Sequence, residues 1–169
     1  MFLDKKDLEF IIRPIESKDN KAIQEIIQKS LEEVNLDKPG TAYFDPQLGQ
    51  LYEFYKTAEK GGYWVAVDEN KQIVVGGIGI GAFGDYENIA ELQKYYISEE
   101  YQNRGIGRLL FQEAIDFAKE NLYHSIYLET MDTLHKANLV YEHYGFKQLS
   151  EPLPGSEHGL MNRWYMKEL

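Results

Sequence analysis

The sequence has no cysteine among its 169 residues. Disulfide bonds, thiolate-bound zinc and a cysteine nucleophile are therefore excluded. No apolar run approaches the roughly 20 residues that a membrane-spanning helix needs. Charged side chains within residues 4–9 interrupt any apolar segment of a secretion signal. We therefore expect a cytoplasmic protein with no membrane partner.

Positive charge is also scarce. Lysine and arginine total 18 against 28 aspartate and glutamate residues, which gives a formal net charge of −10. A general nucleic-acid binder needs a basic face to displace counterions from phosphates, so we expect no nucleic-acid partner. The negative charge suits a cationic ligand such as a polyamine or a lysine side chain, and it is explained equally well by solubility alone.

The hydrophobic pattern predicts one α/β domain over residues 1–169, without repeats, linkers or low-complexity segments. The predicted order, β-α-α-β-β-β-α-β-α-β-β, describes a mixed sheet with helices on both faces. The strands are expected at residues 9–16, 63–68, 72–83, 89–97, 125–130, 147–151 and 163–167. The helices are expected after the N-cap candidates Ser17 and Asp19, around residues 48–58, at 105–122 with Leu122 facing inward, and at 134–144.

A first glycine motif, residues 79–84, matches the dinucleotide-binding pattern G-x-G-x-x-G. That pattern is meaningful only where the glycines leave a strand and begin a helix. Here residues 85–88 lead into another strand-like segment, and Gly76 and Gly77 already lie within the β pattern. We therefore interpret the motif as a strand of small residues, or a bulge near a ligand.

A second glycine motif has the right context for binding an anion. It lies between a predicted strand and a strongly amphipathic helix, where glycines leave backbone N–H groups accessible at the positive end of the helix dipole. Such a site suits a pyrophosphate, and the two arginines add positive charge. Its residues are Gln102, Asn103, Arg104, Gly105, Ile106, Gly107 and Arg108.

In this loop the sequence resembles the GNAT N-acetyltransferase superfamily. Gln102, Gly105 and Gly107 match the family signature Q/R-x-x-G-x-G/A, and residues 137–146 match its A-x-x-x-Y-x-x-x-G-F segment. The order and separation of the two motifs fit over nearly the whole chain. One position departs: Leu134 stands where the family often has an asparagine that contacts pantetheine, and we expect Asn138 to take its place.

The resemblance implies a GNAT-like, mostly antiparallel sheet that is splayed between its fourth and fifth strands. Pantetheine would lie in that gap and pair with the backbone at Tyr95 and Ile97. The implied activity is acetyl-CoA-dependent transfer of an acetyl group directly to a primary amine of a small molecule or peptide, without a metal. The alternative is a non-catalytic acyl-CoA-binding or regulatory module on the same fold. A homodimer is compatible with either, since dimers are common on this fold.

Two residues match the family's catalytic positions. Glu91 corresponds to the catalytic base of histone-type members, with Glu129 or water alone as alternatives, and strand alternation places Glu91, Gln93 and Tyr95 on one side. Tyr141 corresponds to the tyrosine that protonates the departing sulfur, although aromatic residues on amphipathic helices usually serve packing. The histidines lack the spacing of a zinc site and are expected in structural or surface roles: His124, His135, His143 and His158.

Overall fold

A computed structural model describes residues 9–157 and 159–169 of the chain. The charged residues at positions 4–7 and His158, which entered the predictions above, lie outside the described residues. The strands are β1 (Phe10–Pro14), β2 (Gly62–Asp68), β3 (Ile73–Ala82), β4 (Ile89–Ile97), β5 (Ser125–Thr130), β6 (Lys147–Leu149) and β7 (Arg163–Glu168). The helices are α1 (Asn20–Glu33), α2 (Leu51–Lys56), α3 (Ile106–Glu120) and α4 (His135–His143).

The seven strands form one sheet in the order β1-β2-β3-β4-β5-β7-β6. All neighbours are antiparallel except β4 and β5, which run parallel. These two strands pair only from Ile89↔Ser125 to Glu91↔Tyr127. Beyond that point β4 stays with β3 and β5 stays with β7, so a gap opens between them. The predicted mixed, mostly antiparallel and splayed sheet is confirmed.

A separate hydrophobic core covers each face of the sheet. On one face α1 and α2 bury Ile23, Ile27 and Leu51, because apolar residues recur there at helical spacing. On the other face α3 and α4 bury Leu110, Phe111 and Tyr141. Helices on both faces were predicted and are confirmed. In the part of the chain that the structure describes, no helix is both long enough and apolar enough to cross a membrane.

The end of α3 differs from the prediction. The helix stops at Glu120, and Leu122 is 75% exposed with φ 65°, so its predicted inward position is wrong. The N–H of Tyr123 turns back to the carbonyl of Ala118, which closes the helix and directs Leu122 outward. Two inward positions of α3 that the sequence pattern did not indicate are Phe111 and Ala118, which are fully buried.

A β-bulge in β4 decides which side chains face each core. Gly77 pairs with Tyr96 and Gly79 with Gln93, so β4 has one extra residue, and Lys94 adopts φ 47°. The bulge interrupts the alternation of side chains. Tyr95 consequently packs against the α3 face, opposite to Gln93, and the predicted common side for Glu91, Gln93 and Tyr95 is wrong for Tyr95.

Candidate active site

The loop before α3 is shaped by two residues in the left-handed backbone region. Asn103 has φ 62° and Gly105 has φ 86°. A Cβ built on Gly105 would meet nothing within 4 Å, so the space beside the first turn of α3 is open. The first N–H groups of a helix have no partner inside it and carry the positive end of its dipole. The loop backbone is compatible with an anion at this point, and the anion site stays a prediction.

Gly107 brings this loop against β4. A Cβ built on Gly107 would stand 2.6 Å from the Tyr95 hydroxyl and 3.7 Å from Ile97 Cδ1. The side-chain amide of Gln102 donates to the carbonyl of Ile97 at 3.1 Å, which ties the loop to the end of the strand. The structure thus brings together the predicted cofactor-binding residues of the loop and those of β4.

The two arginines lie on different sides of the loop. The guanidinium of Arg104 stands 5.1 Å from the ring of Phe10 and 5.0 Å from that of Tyr101, and it pairs with Glu9 at 3.5 Å. Arg108 lies on the α4 side: burial raises the pKa of Tyr144, and the charge of Arg108 opposes that rise.

Tyr141 lies among aromatic rings on the α3 and α4 face. Its ring centroid is 6.5 Å from Tyr95, 6.2 Å from Phe111 and 6.0 Å from Tyr165. Burial, with a further effect of Tyr96, raises the pKa of Tyr141 far above its usual range, so the phenol stays protonated. No described residue hydrogen-bonds its hydroxyl, which leaves that proton available to a ligand.

Asn138 has an open acceptor. Its side chain is buried, with 3% of the residue exposed, and its Nδ2 donates to the carbonyl of Met131 at 2.9 Å. Its Oδ1 is buried and has no hydrogen-bond partner among the described residues. Buried acceptors are normally satisfied, and an amide N–H of a bound ligand would satisfy this one. The predicted substitution of Asn138 for the family's asparagine is consistent with this geometry.

On the opposite face of the sheet, Glu91 lies where β4 and β5 begin to diverge. It is the last β4 residue to pair with β5, opposite Tyr127. The Tyr127 hydroxyl donates to Glu129 Oε2 at 2.8 Å and accepts the N–H of Leu153 at 3.2 Å. Burial, then the charges of Glu129 and Glu91, raise the pKa of Tyr127. Both candidate bases therefore act on one hydroxyl at the gap.

A buried ion pair holds the bulge, and no sequence pattern indicated it. Lys94 Nζ lies 2.8 Å from Asp45 Oδ2, with side chains 7% and 17% exposed. The Tyr63 hydroxyl also donates to the carbonyl of Lys94 at 2.7 Å. These contacts tie the segment before α2 to the strand beside the gap. The partners lie far apart in sequence, so only the fold shows that they meet.

The first glycine motif belongs to the face of the sheet that α1 and α2 cover. Residues 79–82 of the motif lie in β3, which runs through a turn into β4 rather than into a helix, so the interpretation as a strand of small residues is confirmed. A Cβ built on Gly77 would lie 2.6 Å from the Tyr63 hydroxyl, and one on Gly79 would lie 2.7 Å from the Tyr55 hydroxyl. The row of glycines makes room for buried tyrosines from β2 and α2.

The histidines that the structure describes are exposed: His124, His135 and His143. Within residues 9–157 and 159–169, no three histidine, aspartate or glutamate side chains cluster closely enough to hold a metal ion.

Comparison with known proteins identifies the family. The sequence profile of the acetyltransferase (GNAT) family matches residues 21–146. The uncharacterized N-acetyltransferase YjgM of Escherichia coli is 34% identical over 151 residues, which cover 88% of each chain. A GNAT-family acetyltransferase structure from Staphylococcus aureus superposes with a TM-score of 0.80 at 27% identity, covering 94% of this chain and 98% of the other.

A further solved structure shares the fold. The GNAT-superfamily phosphinothricin acetyltransferase of Sinorhizobium meliloti, which was solved in complex with acetyl-CoA, superposes with a TM-score of 0.74 at 20% identity. The match covers 95% of this chain and 89% of that protein. The profile match over most of the chain and the Escherichia coli relative decide the assignment: the chain belongs to the acetyltransferase (GNAT) family and is an acyltransferase.

Proposed function

We propose that this enzyme transfers the acetyl group of acetyl-CoA directly to a primary amine of a small molecule or peptide, with Glu91 as the base and Tyr141 as the acid. One observation carries this assignment: Glu91 lies where β4 leaves β5, on the face that α2 covers, and Tyr141 lies on the other face, against Tyr95 of β4. An acceptor on the α2 face and a thioester on the α4 face would meet in that gap.

The residues present fit acetyl-CoA. The first N–H groups of α3, beside Gly105 and Gly107, suit its diphosphate. The open Oδ1 of Asn138 suits an amide N–H of pantetheine, and β4 has a free edge where it no longer pairs with β5. When bound, acetyl-CoA supplies the activated acetyl group. A backbone N–H near Tyr95 would stabilise the thioester carbonyl as it becomes negatively charged.

The acceptor amine must lose a proton before it can attack. An alkylammonium of pKa near 10 is neutral about once in a thousand at pH 7, which corresponds to about 4 kcal/mol. Glu91 would take that proton, directly or through water, as the nitrogen bonds to the acetyl carbon. As the carbon–sulfur bond breaks, the Tyr141 phenol would pass its proton to the departing thiolate and regain one from the amine nitrogen, which loses its second proton as the amide forms, so that no free phenolate accumulates. Glu129 is the alternative base.

Negative charge on the acceptor side favours a cationic acceptor. Among the acidic residues of the α1–α2 region, Glu32 accepts from Tyr43, Glu53 from Asn20, and Asp45 pairs with Lys94. These carboxylates are thus engaged with the protein. Glu91 and Glu129, which flank the gap, are better placed to attract an ammonium group.

A thioester-cleavage assay with a panel of amines tests the function. The panel should hold polyamines, aminoglycosides, amino acids and peptides with free N-termini, each with acetyl-CoA. We expect amine-dependent release of free thiol, strongest for cationic amines and lost in Glu91→Gln. Binding of acetyl-CoA without turnover for any amine would support the non-catalytic acyl-CoA-binding alternative.

Cytoplasmic location and a homodimer stay predictions. The first is checked by fractionation of cells that express the tagged protein, and the second by light scattering of the purified protein.

A further inference from the structure

A chain of two hydrogen bonds connects α2 to Glu91. The Tyr55 hydroxyl donates to Gln93 Oε1 at 2.6 Å, and Gln93 Nε2 donates to Glu91 Oε1 at 2.7 Å. A carboxylate only accepts hydrogen bonds, so the NH₂ group of Gln93 must face Glu91 and its carbonyl must face Tyr55. Tyr55 must then be the donor. The chemistry of the three groups fixes the direction of both bonds.

Tyr55 is held firmly at the start of this chain. It is 5% exposed, and its ring packs at 5.0 Å against Phe54 and at 5.4 Å against Tyr63. Burial, with smaller effects of the charges on Glu91 and Asp45, raises the pKa of Tyr55 far above its usual range. The hydroxyl therefore keeps its proton, and it can serve as a permanent donor to Gln93.

Two glycines of β3 provide the space for the hydrogen-bonded side chains of Tyr55 and Gln93. Gly79 pairs with Gln93 and Gly81 with Glu91 across the sheet. A Cβ on Gly79 would stand 2.7 Å from the Tyr55 hydroxyl, and one on Gly81 would stand 2.9 Å from Gln93 Oε1 and 3.1 Å from Nε2. Glycine weakens the interior of a strand. Its presence at both positions is explained by the groups that lie over it.

We propose that Gln93 and Tyr55 are positioning residues for acetyl transfer: they hold the Glu91 carboxylate in one orientation and favour its charged form, and Gly79 and Gly81 keep the space for them. This inference rests on the proposed role of Glu91 as base. A hydrogen bond donated to a carboxylate stabilises its ionised form. The chain thus keeps Glu91 ready to accept a proton at lower pH than an unsupported carboxylate would.

Other charged or titratable groups also face Glu91. Tyr127 and Glu129 approach it from β5, and the Lys94–Asp45 pair lies beside the same face. Glu129 disfavours the charged form of Glu91, whereas Lys94 favours it. None of these groups changes when Gln93 or Gly81 is replaced. A change in the pH dependence of those variants therefore reports on the hydrogen-bond chain.

The pH dependence of kcat/KM for the acceptor, measured at saturating acetyl-CoA, tests the proposal. Gln93→Leu removes the donor to Glu91. We expect the acidic limb of the kcat/KM profile, the range in which activity falls as Glu91 becomes protonated, to shift by about one pH unit to higher pH, with a lower kcat. Tyr55→Phe should move it in the same direction by less, because Tyr55 acts through Gln93. Affinity for acetyl-CoA should stay within about twofold of the wild-type value.

Gly81→Ala provides a variant that leaves every polar group in place. Its Cβ displaces only the end of the flexible Gln93 side chain. The fold should therefore persist while the hydrogen bonds from Tyr55 through Gln93 to Glu91 are lost. We expect the same upward shift as in Gln93→Leu. Tyr123→Phe is the matched control, since this buried tyrosine donates instead to the carbonyl of Lys60 at 2.8 Å. Its acidic limb should not move.

Two results separate this inference from the proposed function. In the first, Glu91→Gln abolishes transfer, but folded Gln93→Leu and Gly81→Ala keep the acidic limb of the wild-type pH profile. The positioning role is then wrong, and the role of Glu91 as base is retained. If Glu91→Gln keeps wild-type turnover, Glu91 is not the base and the positioning role is also wrong, while acetyl transfer itself stands with Glu129 as the base. An NMR titration of the Glu91 carboxyl carbon adds a measurement that does not depend on turnover. The midpoint of the titration should rise in Gln93→Leu, and an unchanged midpoint would contradict the proposed effect of the hydrogen bonds on Glu91.

Discussion

The hydroxyl of Tyr95 lies where a side chain on Gly107 would begin, with 2.6 Å between that oxygen and a Cβ built on the glycine. The start of α3 and the strand beside the gap therefore approach each other at a distance that only glycine permits. Tyr95 is held in turn by Phe111, whose ring lies 4.8 Å away. Neither partner can move without disturbing the candidate phosphate site.

Replacement of Gly107 by valine should abolish acetyl-CoA binding. The added side chain clashes with the Tyr95 hydroxyl, so either Tyr95 or the first turn of α3 must move. We expect the dissociation constant measured by calorimetry to rise by about 100-fold or more, equivalent to about 2.8 kcal/mol. Gly159→Val is the control, since a Cβ at that position meets nothing within 4 Å. Native affinity in a folded Gly107→Val protein would refute the loop assignment.

Tyr141→Phe should lower turnover with little change in acetyl-CoA affinity. The substitution keeps the ring within its aromatic cluster and removes only the proton donor, so we expect kcat to fall by about 10²–10⁴-fold. Because the pKa of Tyr141 is raised, the wild-type enzyme should show no alkaline loss of activity from this group near pH 8–9. Tyr165→Phe, in the same cluster, is the control. Unchanged kcat in Tyr141→Phe would remove it from the mechanism.

Acid should weaken the fold through Asp19. Burial opposes its charged form, but hydrogen bonds from Arg13, at 2.7 and 3.0 Å, and from the N–H of Glu16 hold the pKa of Asp19 below its usual range. A carboxyl whose pKa is lowered by folding stabilises the protein above its unfolded value near 3.9, and this contribution is lost as pH falls through the lower folded value.

The variant Asp19→Asn isolates that contribution. At pH 7 we expect the free energy of unfolding to fall by about 1.5–3 kcal/mol. The difference from the wild type should shrink as urea unfolding is repeated below pH 4. A difference that stays constant from pH 7 to pH 2 would show that the charge of Asp19 does not stabilise the fold.

Removing one partner of the buried Lys94–Asp45 pair should destabilise the protein more than removing both partners. Lys94→Met leaves a carboxylate in a mostly buried position and should destabilise the protein by about 3–5 kcal/mol. Adding Asp45→Leu should recover part of that loss. Chemical unfolding of both single variants and the double variant gives the coupling energy. Strictly additive effects would contradict an energetic link between the bulge and the segment before α2.

Much of the fold could be predicted because local patterns and the global structure agree. Apolar residues at helical spacing in α1 and α3 predicted helices, and the glycines after β4 predicted the start of α3. The splay between β4 and β5 came from the family resemblance rather than from the pattern. Leu122 was placed wrongly because periodicity alone does not show where a helix closes.

The contacts of Lys94, Tyr55 and the β3 glycines, on the face of the sheet that α2 covers, could not be predicted in the same way. The bulge requires Lys94 to adopt a left-handed backbone conformation, which the residue type does not predict. The bulge also moves Tyr95 to the opposite face of the sheet. Tyr55 reaches Gln93 from a helix 38 positions earlier, so only the packed structure reveals their contact. The glycines of β3 were recognised as small residues in a strand, but their purpose depends on side chains from other elements.

A crystal structure with bound coenzyme A tests the central claim most directly. The account predicts the diphosphate on the N–H groups at the start of α3 and the sulfur in the gap between β4 and β5, within hydrogen-bonding distance of the Tyr141 hydroxyl. A diphosphate bound away from residues 102–108, or a sulfur on the α2 face out of reach of Tyr141, would contradict it.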